Sequence, residues 1–258
     1  DNCVLLVDTY DTLHSGIPNA IRVAKEYLIP HGYRLKGIRI DSGDLAYLSK
    51  KARKMLDAEG LTDTQIVVSN SLDEFLIDDL IMQGARIDSF GVGENMITAK
   101  STPVLGGVYK VCAHERDGVI IPKIKISGNV EKLTNPGFKK IVRFYDNDDG
   151  KAIGDVLALR DEVIDEHEYL LFDPQAPWKQ KRIRNYTVRE LQVPIFIGGQ
   201  LVYDVPSTEQ VKRYCQQQMD TLWDEVKRLR YPHRYYVDYS QTLYDLKQKL
   251  IEENTMKI

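Results

Sequence analysis

The chain has 258 residues, 43% of them hydrophobic and 28% charged, enough apolar material for one large core or two smaller ones and too much for a disordered or fibrous polypeptide. Thirty-five Lys and Arg stand against 38 Asp and Glu, a net charge of −3, so no general positive field invites nucleic acid or an anionic membrane, and any anion site has to be local. Three cysteines, Cys3, Cys112 and Cys215, form no CxxC or Cys/His pairing and read as reduced thiols of a cytoplasmic protein. Apolar runs such as 3–7 and 193–197 fall far short of the ~20 residues of a spanning helix.

From residue 1 to about 113, short β-branched runs alternate with amphipathic segments, the pattern of βα units around a parallel sheet. Strands are predicted at 3–7, 35–40, 65–69, 87–92 and 108–113, and helices at 18–29, 44–59 and 72–83. Pro18 and Ser71 mark helix starts, while Gly32, Gly60 and Gly84 follow helix ends. The segment 114–206 reads as mixed β, with strands at 119–126, 141–145, 169–172 and 193–205, the last broken at Gly198-Gly199. Turns are predicted at Asn135-Pro136-Gly137, Asp148-Asp149-Gly150 and Asp173-Pro174. A third segment, 207–258, reads as a helical extension with helices at 207–230 and 240–253, packed through Tyr231, Tyr235, Tyr236 and Tyr239. The chain opens at Asp1 within two residues of a buried-strand pattern, and is expected to be part of a longer polypeptide that alone would not complete a barrel.

In parallel α/β folds the chemistry gathers at the carboxyl ends of the strands, where loops and side chains converge on one face. Here each of the first four predicted strands ends in small or acidic polar residues: Asp8-Thr9-Tyr10-Asp11-Thr12; Asp41-Ser42-Gly43-Asp44; Ser69-Asn70-Ser71; and Gly91-Val92-Gly93-Glu94. Alone, Asp8 or Asp41 reads equally as a helix cap or turn former, and Gly91-x-Gly93 as a tight turn. Agreement at four strand ends points to a site. The glycine pair would let backbone N–H groups approach a phosphate, whereas GxGxxG and GxxxxGK[ST] are both absent. Arg39 interrupts an apolar strand directly before Asp41. It reads either as half of a buried Arg–Asp pair or as a planar fork held for a carboxylate or phosphate.

Six stretches together resemble nicotinate phosphoribosyltransferase: Leu6-Val-Asp-Thr-Tyr-Asp-Thr12, Gly37-Ile-Arg-Ile-Asp-Ser-Gly-Asp-Leu45, Val67-Val-Ser-Asn-Ser71, Phe90-Gly-Val-Gly93, Leu105-Gly-Gly-Val-Tyr-Lys-Val111 and Lys132-Leu-Thr-Asn-Pro-Gly137. The resemblance implies a type II phosphoribosyltransferase: α/β, with part of an irregular α/β barrel, a smaller mixed β domain and C-terminal helices, usually dimeric. It implies transfer from 5-phosphoribosyl 1-pyrophosphate to nicotinate, with ATP hydrolysis as driver and Mg²⁺ as counterion, in NAD salvage. Arg39 would then face the nicotinate carboxylate. Asp41, with Ser42 and Gly43, would lie by the ribose and pyrophosphate, either directly or through Mg²⁺, for which it is the candidate ligand. Asn70 and Ser71 match the strand end near the ribose, and Gly91, Gly93 and Glu94 the 5′-phosphate loop.

Asp8 matches a carboxylate near the family's phosphorylatable histidine, which lies upstream of the strand at 3–7 in the family. His14 stands where the family more usually has Arg and is not expected to replace that histidine. The other four histidines, His31, His114, His167 and His233, read as solvated or capping. Lys132, Lys139 and Lys140 read either as a basic rim near phosphates or as a solvated face. Alternatives on the same fold are a nicotinamide- or quinolinate-using relative, and a binding module without activity of its own.

Overall fold

In the computed structural model, which describes residues 2–128 and 132–255, four short strands run parallel in the first part of the chain. They are β1 (Val4–Leu6), β2 (Gly37–Ile40), β3 (Gln65–Val68) and β4 (Ser89–Phe90), hydrogen-bonded in that order. Helices α1 (Ile17–Val23), α2 (Leu45–Ala58) and α3 (Glu74–Met82) connect them, as the alternating pattern predicts. On α2 the buried residues Leu45, Ser49, Ala52 and Leu56 follow a 4-3-4 spacing, which lays one stripe against the sheet. Ile38, Ile40, Ile66 and Val68 are fully buried in the same core as Ile17, Ala20 and Leu80. The opposite sheet face carries Val4, Leu6 and Arg39, all exposed, although parallel sheets are ordinarily covered on both faces. Close packing also fixes Gly16, because a Cβ there would lie 1.7 Å from the Val7 carbonyl oxygen.

Three elements differ from the sequence reading. Regular α1 ends at Val23 and continues as a π turn over Ala24–Leu28 and a 3₁₀ turn over Ile29–His31, since Pro30 has no N–H to sustain the α ladder. Helix α3 begins at Glu74 and is capped by Asp73, whose carboxylate accepts from the Leu76 N–H at 2.8 Å; Ser71, expected as the cap, lies in the left-handed region at φ 48°. The strand expected at 108–113 does not form. The Cys112 carbonyl instead accepts from the N–H groups of Lys123 and Gly137, both at 2.8 Å. One further short helix, α4 (Glu94–Ile97), follows β4.

The later part of the chain begins with a hairpin of β5 (Ala113–Arg116) and β6 (Val119–Pro122). Then come β7 (Lys139–Asp146), β8 (Ala152–Leu159), β9 (Glu168–Asp173), β10 (Ala176–Arg184) and β11 (Tyr186–Glu190), followed by the short hairpin β12 (Phe196–Ile197) and β13 (Gln200–Leu201). Helix α5 (Thr208–Asp220), strand β14 (Val237–Tyr239) and helix α6 (Gln241–Thr255) end the chain. The main sheet has the order β11-β7-β8-β14, and β9 pairs with β10. Phe144 is fully buried between Tyr169 and Tyr186, with ring centroids 4.9 and 5.0 Å away.

Strand β8 breaks the usual alternation because it is buried on both faces and carries an aspartate. Asp155 accepts two hydrogen bonds from the Arg143 guanidinium, at 2.7 and 2.9 Å, and one from the Tyr235 hydroxyl at 2.8 Å. Tyr235 reaches it because β14 adds parallel to β8. The tail is therefore part of the later sheet, and the chain divides into two compact units, Asp1–Gly107 and Val108–Ile258, in place of the segments 1–113, 114–206 and 207–258. Tyr231, expected to pack the helices together, is 95% exposed.

Asp238 on β14 is buried, with Asp173 as the nearest like charge. Burial, and secondly Asp173, push its carboxyl up from 3.8 to about 6, while Arg234 opposes them. The folded state thus favours the protonated form. The unit is not penalised below the ordinary value of 3.8 and loses stability as pH rises through about 6. Asp238→Asn is expected to match the wild type near pH 4 and to exceed it at pH 8 by up to about 3 kcal/mol, several degrees in melting temperature. Identical melting curves for the two proteins at pH 8 would contradict this.

Candidate active site at the strand ends

The carboxyl ends of β1, β2 and β3 are tied together by side chains. Asp8, just after β1, accepts from the backbone N–H of Asp41 at 2.9 Å and from the Ser42 hydroxyl at 2.6 Å through one carboxylate oxygen, Oδ2. This supplies an acceptor for a backbone donor that has left the β2 ladder. Arg39, within β2, donates from Nε to the Ser69 hydroxyl at 2.9 Å and from Nη2 to Asp41 Oδ1 at 3.3 Å. The Ser69 hydroxyl in turn donates to the same Asp41 oxygen. Arg39 and Asp41 are 49% and 44% exposed at their side chains, so the buried Arg–Asp pair is not what forms: the pair lies on the open sheet face. The hydrogen bond from Ser69, and then that from Arg39, holds the Asp41 carboxyl below its ordinary value.

Around this cluster the turns are sharp. Gly43 has φ 77°, a conformation glycine adopts without steric cost, and Asp44 then caps α2 by accepting from the Tyr47 N–H at 2.9 Å. Asn70 and Ser71 both have positive φ, 99° and 48°, and strained non-glycine residues of this kind concentrate at functional sites. Their turn is pinned by Asn95, whose side-chain amide donates to the carbonyls of Ser71 and Leu72 at 2.9 and 3.0 Å. The Gly91 N–H donates to the Val68 carbonyl at 2.7 Å, beside Ser69. Gly93 and Glu94 open α4 on the exposed side of that loop, away from the hydrogen bonds of the cluster.

The structure thus joins Asp8, Arg39, Asp41 and Ser42 directly, places Gly43, Asn70, Ser71 and Gly91 in the flanking turns, and leaves Gly93 and Glu94 free-standing. Ser69 stood in the polar third strand end without a role assigned to it, and Asn95 was not singled out, because its partner lies 23 residues earlier. His14 is paired with the Asp11 carboxylate at 3.0 Å, and that carboxylate also caps the local turn by accepting from the Leu13 and His14 N–H groups.

A second polar feature lies within the later unit. Among the described residues, Lys110, Lys125, Lys132 and Lys139, with Val108, Cys112, Leu133, Thr134 and Asn135, line a hollow of about 480 Å³. Lys139 donates to the Asn135 carbonyl at 2.8 Å. Lys140 turns away to the Glu162 carbonyl. The expected basic rim is therefore formed by Lys132 and Lys139 with two lysines from earlier in the chain, and not by Lys140.

A helix-backed parallel sheet with an acidic and cationic cluster at its strand ends, joined in sequence to a mixed β unit, defines an α/β protein of the phosphoribosyltransferase type. Residues 138–247 match the family model described as nicotinate phosphoribosyltransferase C-terminal domain. The chain is 46% identical over 260 residues to nicotinate phosphoribosyltransferase of Bacillus subtilis (strain 168), covering 100% of this chain and 52% of that protein. It is 33% identical over 262 residues to the Homo sapiens protein of the same name, covering 95% and 46%. The crystal structure of human nicotinic acid phosphoribosyltransferase superimposes with a TM-score of 0.73 at 29% identity over 96% of this chain and 46% of that one. A nicotinate-nucleotide pyrophosphorylase from Pyrococcus furiosus, at 20% identity and a TM-score of 0.54, shares the fold. The chain is thus similar to the part of nicotinate phosphoribosyltransferases that includes their C-terminal domain, and it spans about half the length of the curated relatives it matches.

Removing the Asp8 carboxylate strands the Asp41 N–H and the Ser42 hydroxyl. Asp8→Ala is expected to lower stability by about 1–2 kcal/mol, and Asp8→Asn, which keeps an acceptor oxygen, by less. Denaturant midpoints measure both; equal losses would show that the hydrogen bonds at this strand end carry no weight.

Proposed function

We propose that the chain carries the phosphoribosyl-transfer site of a nicotinate phosphoribosyltransferase, forming nicotinate mononucleotide and pyrophosphate from nicotinate and 5-phosphoribosyl 1-pyrophosphate in NAD salvage. One observation carries the reading: Arg39 stands half exposed on an otherwise apolar strand, with its Nε and one Nη2 hydrogen engaged by Ser69 and Asp41. Among the described residues none takes Nη1, so the end of the guanidinium fork faces outward for a planar carboxylate. Nicotinate presents that group and nicotinamide does not.

On this reading Asp41 faces the ribose and diphosphate. Mg²⁺ keeps most of its waters and takes one or two carboxylates along with substrate phosphates. Asp41 suits it, because only Oδ1 is spent on Ser69 and Arg39. Bound there, the ion would neutralise charge on the departing diphosphate. Asp8, Ser42 and Gly43 would fix the position of Asp41, and Asn70 and Ser71 would border the ribose. The loop Gly91–Gly93 would present backbone N–H groups to the 5′-phosphate. The lysine hollow of the later unit, lined among the described residues by four lysines, suits a polyphosphate such as ATP acting as driver.

We extend the proposal to a homodimer, supported by the apolar exposure of Phe196, Ile197, Leu201 and Val202 around the β12–β13 hairpin, and to a cytoplasmic location. No helix among the described residues is long and apolar enough to cross a membrane.

Kinetics of the full-length protein test the reading at two positions. Arg39→Ala should cost ~2–4 kcal/mol in kcat/KM for nicotinate, the scale for an unpaired desolvated charge; an unchanged kcat/KM refutes the carboxylate role. Nothing lies within 4 Å of a Cβ built at Gly93, although its backbone at φ −111° and ψ −105° is closed to a β-branched residue, so Gly93→Val shifts the loop backbone. It should raise KM for 5-phosphoribosyl 1-pyrophosphate well above any change for nicotinate, and equal changes would remove the loop from phosphate binding.

A further inference from the structure

We propose that Ser69 is a positioning residue that sets the orientation of the Arg39 guanidinium and thereby the preference for an acid over an amide at this site. The identity of the anion rests on the reading above, whereas the positioning rests on the geometry of three side chains.

Ser69 is buried at the end of β3, one strand over from Arg39, and its hydroxyl is used in both senses. It accepts from Arg39 Nε at 2.9 Å and donates its own hydrogen to Asp41 Oδ1. A hydroxyl with one proton cannot rotate without breaking one of these bonds, so its direction is determined. The direct Arg39–Asp41 contact is longer, 3.3 Å from a single nitrogen, and leaves the guanidinium plane free to swing about that contact. Addition of the Nε bond gives two fixed points on one edge of a rigid planar group, which sets both its tilt and its rotation.

The consequence is a division of the guanidinium. The edge formed by Nε and Nη2 belongs to the protein, and the end formed by Nη1 and Nη2 remains for a ligand. An arginine this exposed would otherwise retain much of its rotamer freedom, and ordering it on ligand binding would weaken affinity. Two N–H groups held parallel match the two oxygens of a carboxylate, while the amide nitrogen of a carboxamide would set a donor against a donor. The surroundings hold Ser69 itself in place. The Gly91 N–H binds the Val68 carbonyl at 2.7 Å, and a Cβ at Gly91 would come within 3.2 Å of Ser69 Cβ. Glycine there lets β4 pass close to the serine.

The test uses the full-length protein with Ser69→Ala and Ser69→Thr, read by steady-state kinetics and by the arginine Nε–H signals of ¹⁵N-labelled protein without substrate. Ser69→Ala is expected to raise KM for nicotinate about tenfold or more, and by more than KM for 5-phosphoribosyl 1-pyrophosphate. It is also expected to narrow the ratio of nicotinate to nicotinamide turnover and to abolish a slowly exchanging Arg39 Nε–H signal, assigned by its absence in Arg39→Lys. Ser69→Thr, which keeps the hydroxyl, should restore all three. Loss of the signal in a protein that does not turn over nicotinate would uphold the positioning and reject the substrate. An unchanged signal and unchanged KM in Ser69→Ala would overturn the proposal, as would a uniform fall in kcat that Ser69→Thr does not repair.

Discussion

The carboxylate of Asp41 is the point on which the strand-end site depends. Its backbone N–H is held by Asp8 from the end of β1, and its side chain by Ser69 from the end of β3 and by Arg39 from within β2. Three parallel strands are thereby joined beyond the reach of their own ladders, at the position where each chain turns toward its helix. The helix-covered face makes this possible. Ile38, Ile40, Ile66 and Val68 fix the strands rigidly from behind, so the polar groups on the open face need only a few hydrogen bonds to take up one arrangement.

The later unit solves a related problem in the opposite way. Its ionic cluster is internal: Asp155 is 5% exposed and compensated by a two-point bond to Arg143 and by the Tyr235 hydroxyl. A buried charge so fully paired holds elements in register and has little capacity left for a ligand. Among the described residues, the same unit places four lysines around a hollow. The charge arrangement thus separates structural ion pairs from those free to bind. In the first unit Arg39 and Asp41 are paired and still about half exposed, which leaves them within reach of a ligand.

Much of this was legible in the sequence, and the failures have identifiable causes. The βα period and the polar residues at four strand ends were visible because a parallel sheet buried on its helix side writes continuous apolar runs, each terminated where the chain leaves the core. Arg39 was conspicuous for breaking such a run, but sequence could not say whether its face of the sheet would be covered, so the buried and open readings stayed level until the structure showed Val4 and Leu6 exposed beside it. Ser69 was legible as part of a polar strand end, but its role was not, because its two partners are 28 and 30 positions away. Strand β8 escaped because Gly154 and Asp155 disrupt its pattern, and the aspartate is satisfied by residues 12 and 80 positions distant. The strand expected at 108–113 had a suitable composition, but among the described residues only Ala113 of it finds a pairing partner; β propensity reports fit to a sheet and does not create one.

The function proposed for this chain is phosphoribosyl transfer to a carboxylated pyridine, and the central claim of that proposal is that the outward end of the Arg39 fork receives the carboxylate. The most direct measurement is a crystal structure of the full-length protein with nicotinate bound. The account predicts both carboxylate oxygens within hydrogen-bonding distance of Arg39 Nη1 and Nη2, with the Nε–Ser69 and Nη2–Asp41 bonds retained. A nicotinate whose carboxylate is held elsewhere, or an Arg39 swung off Ser69 to reach it, would contradict the account.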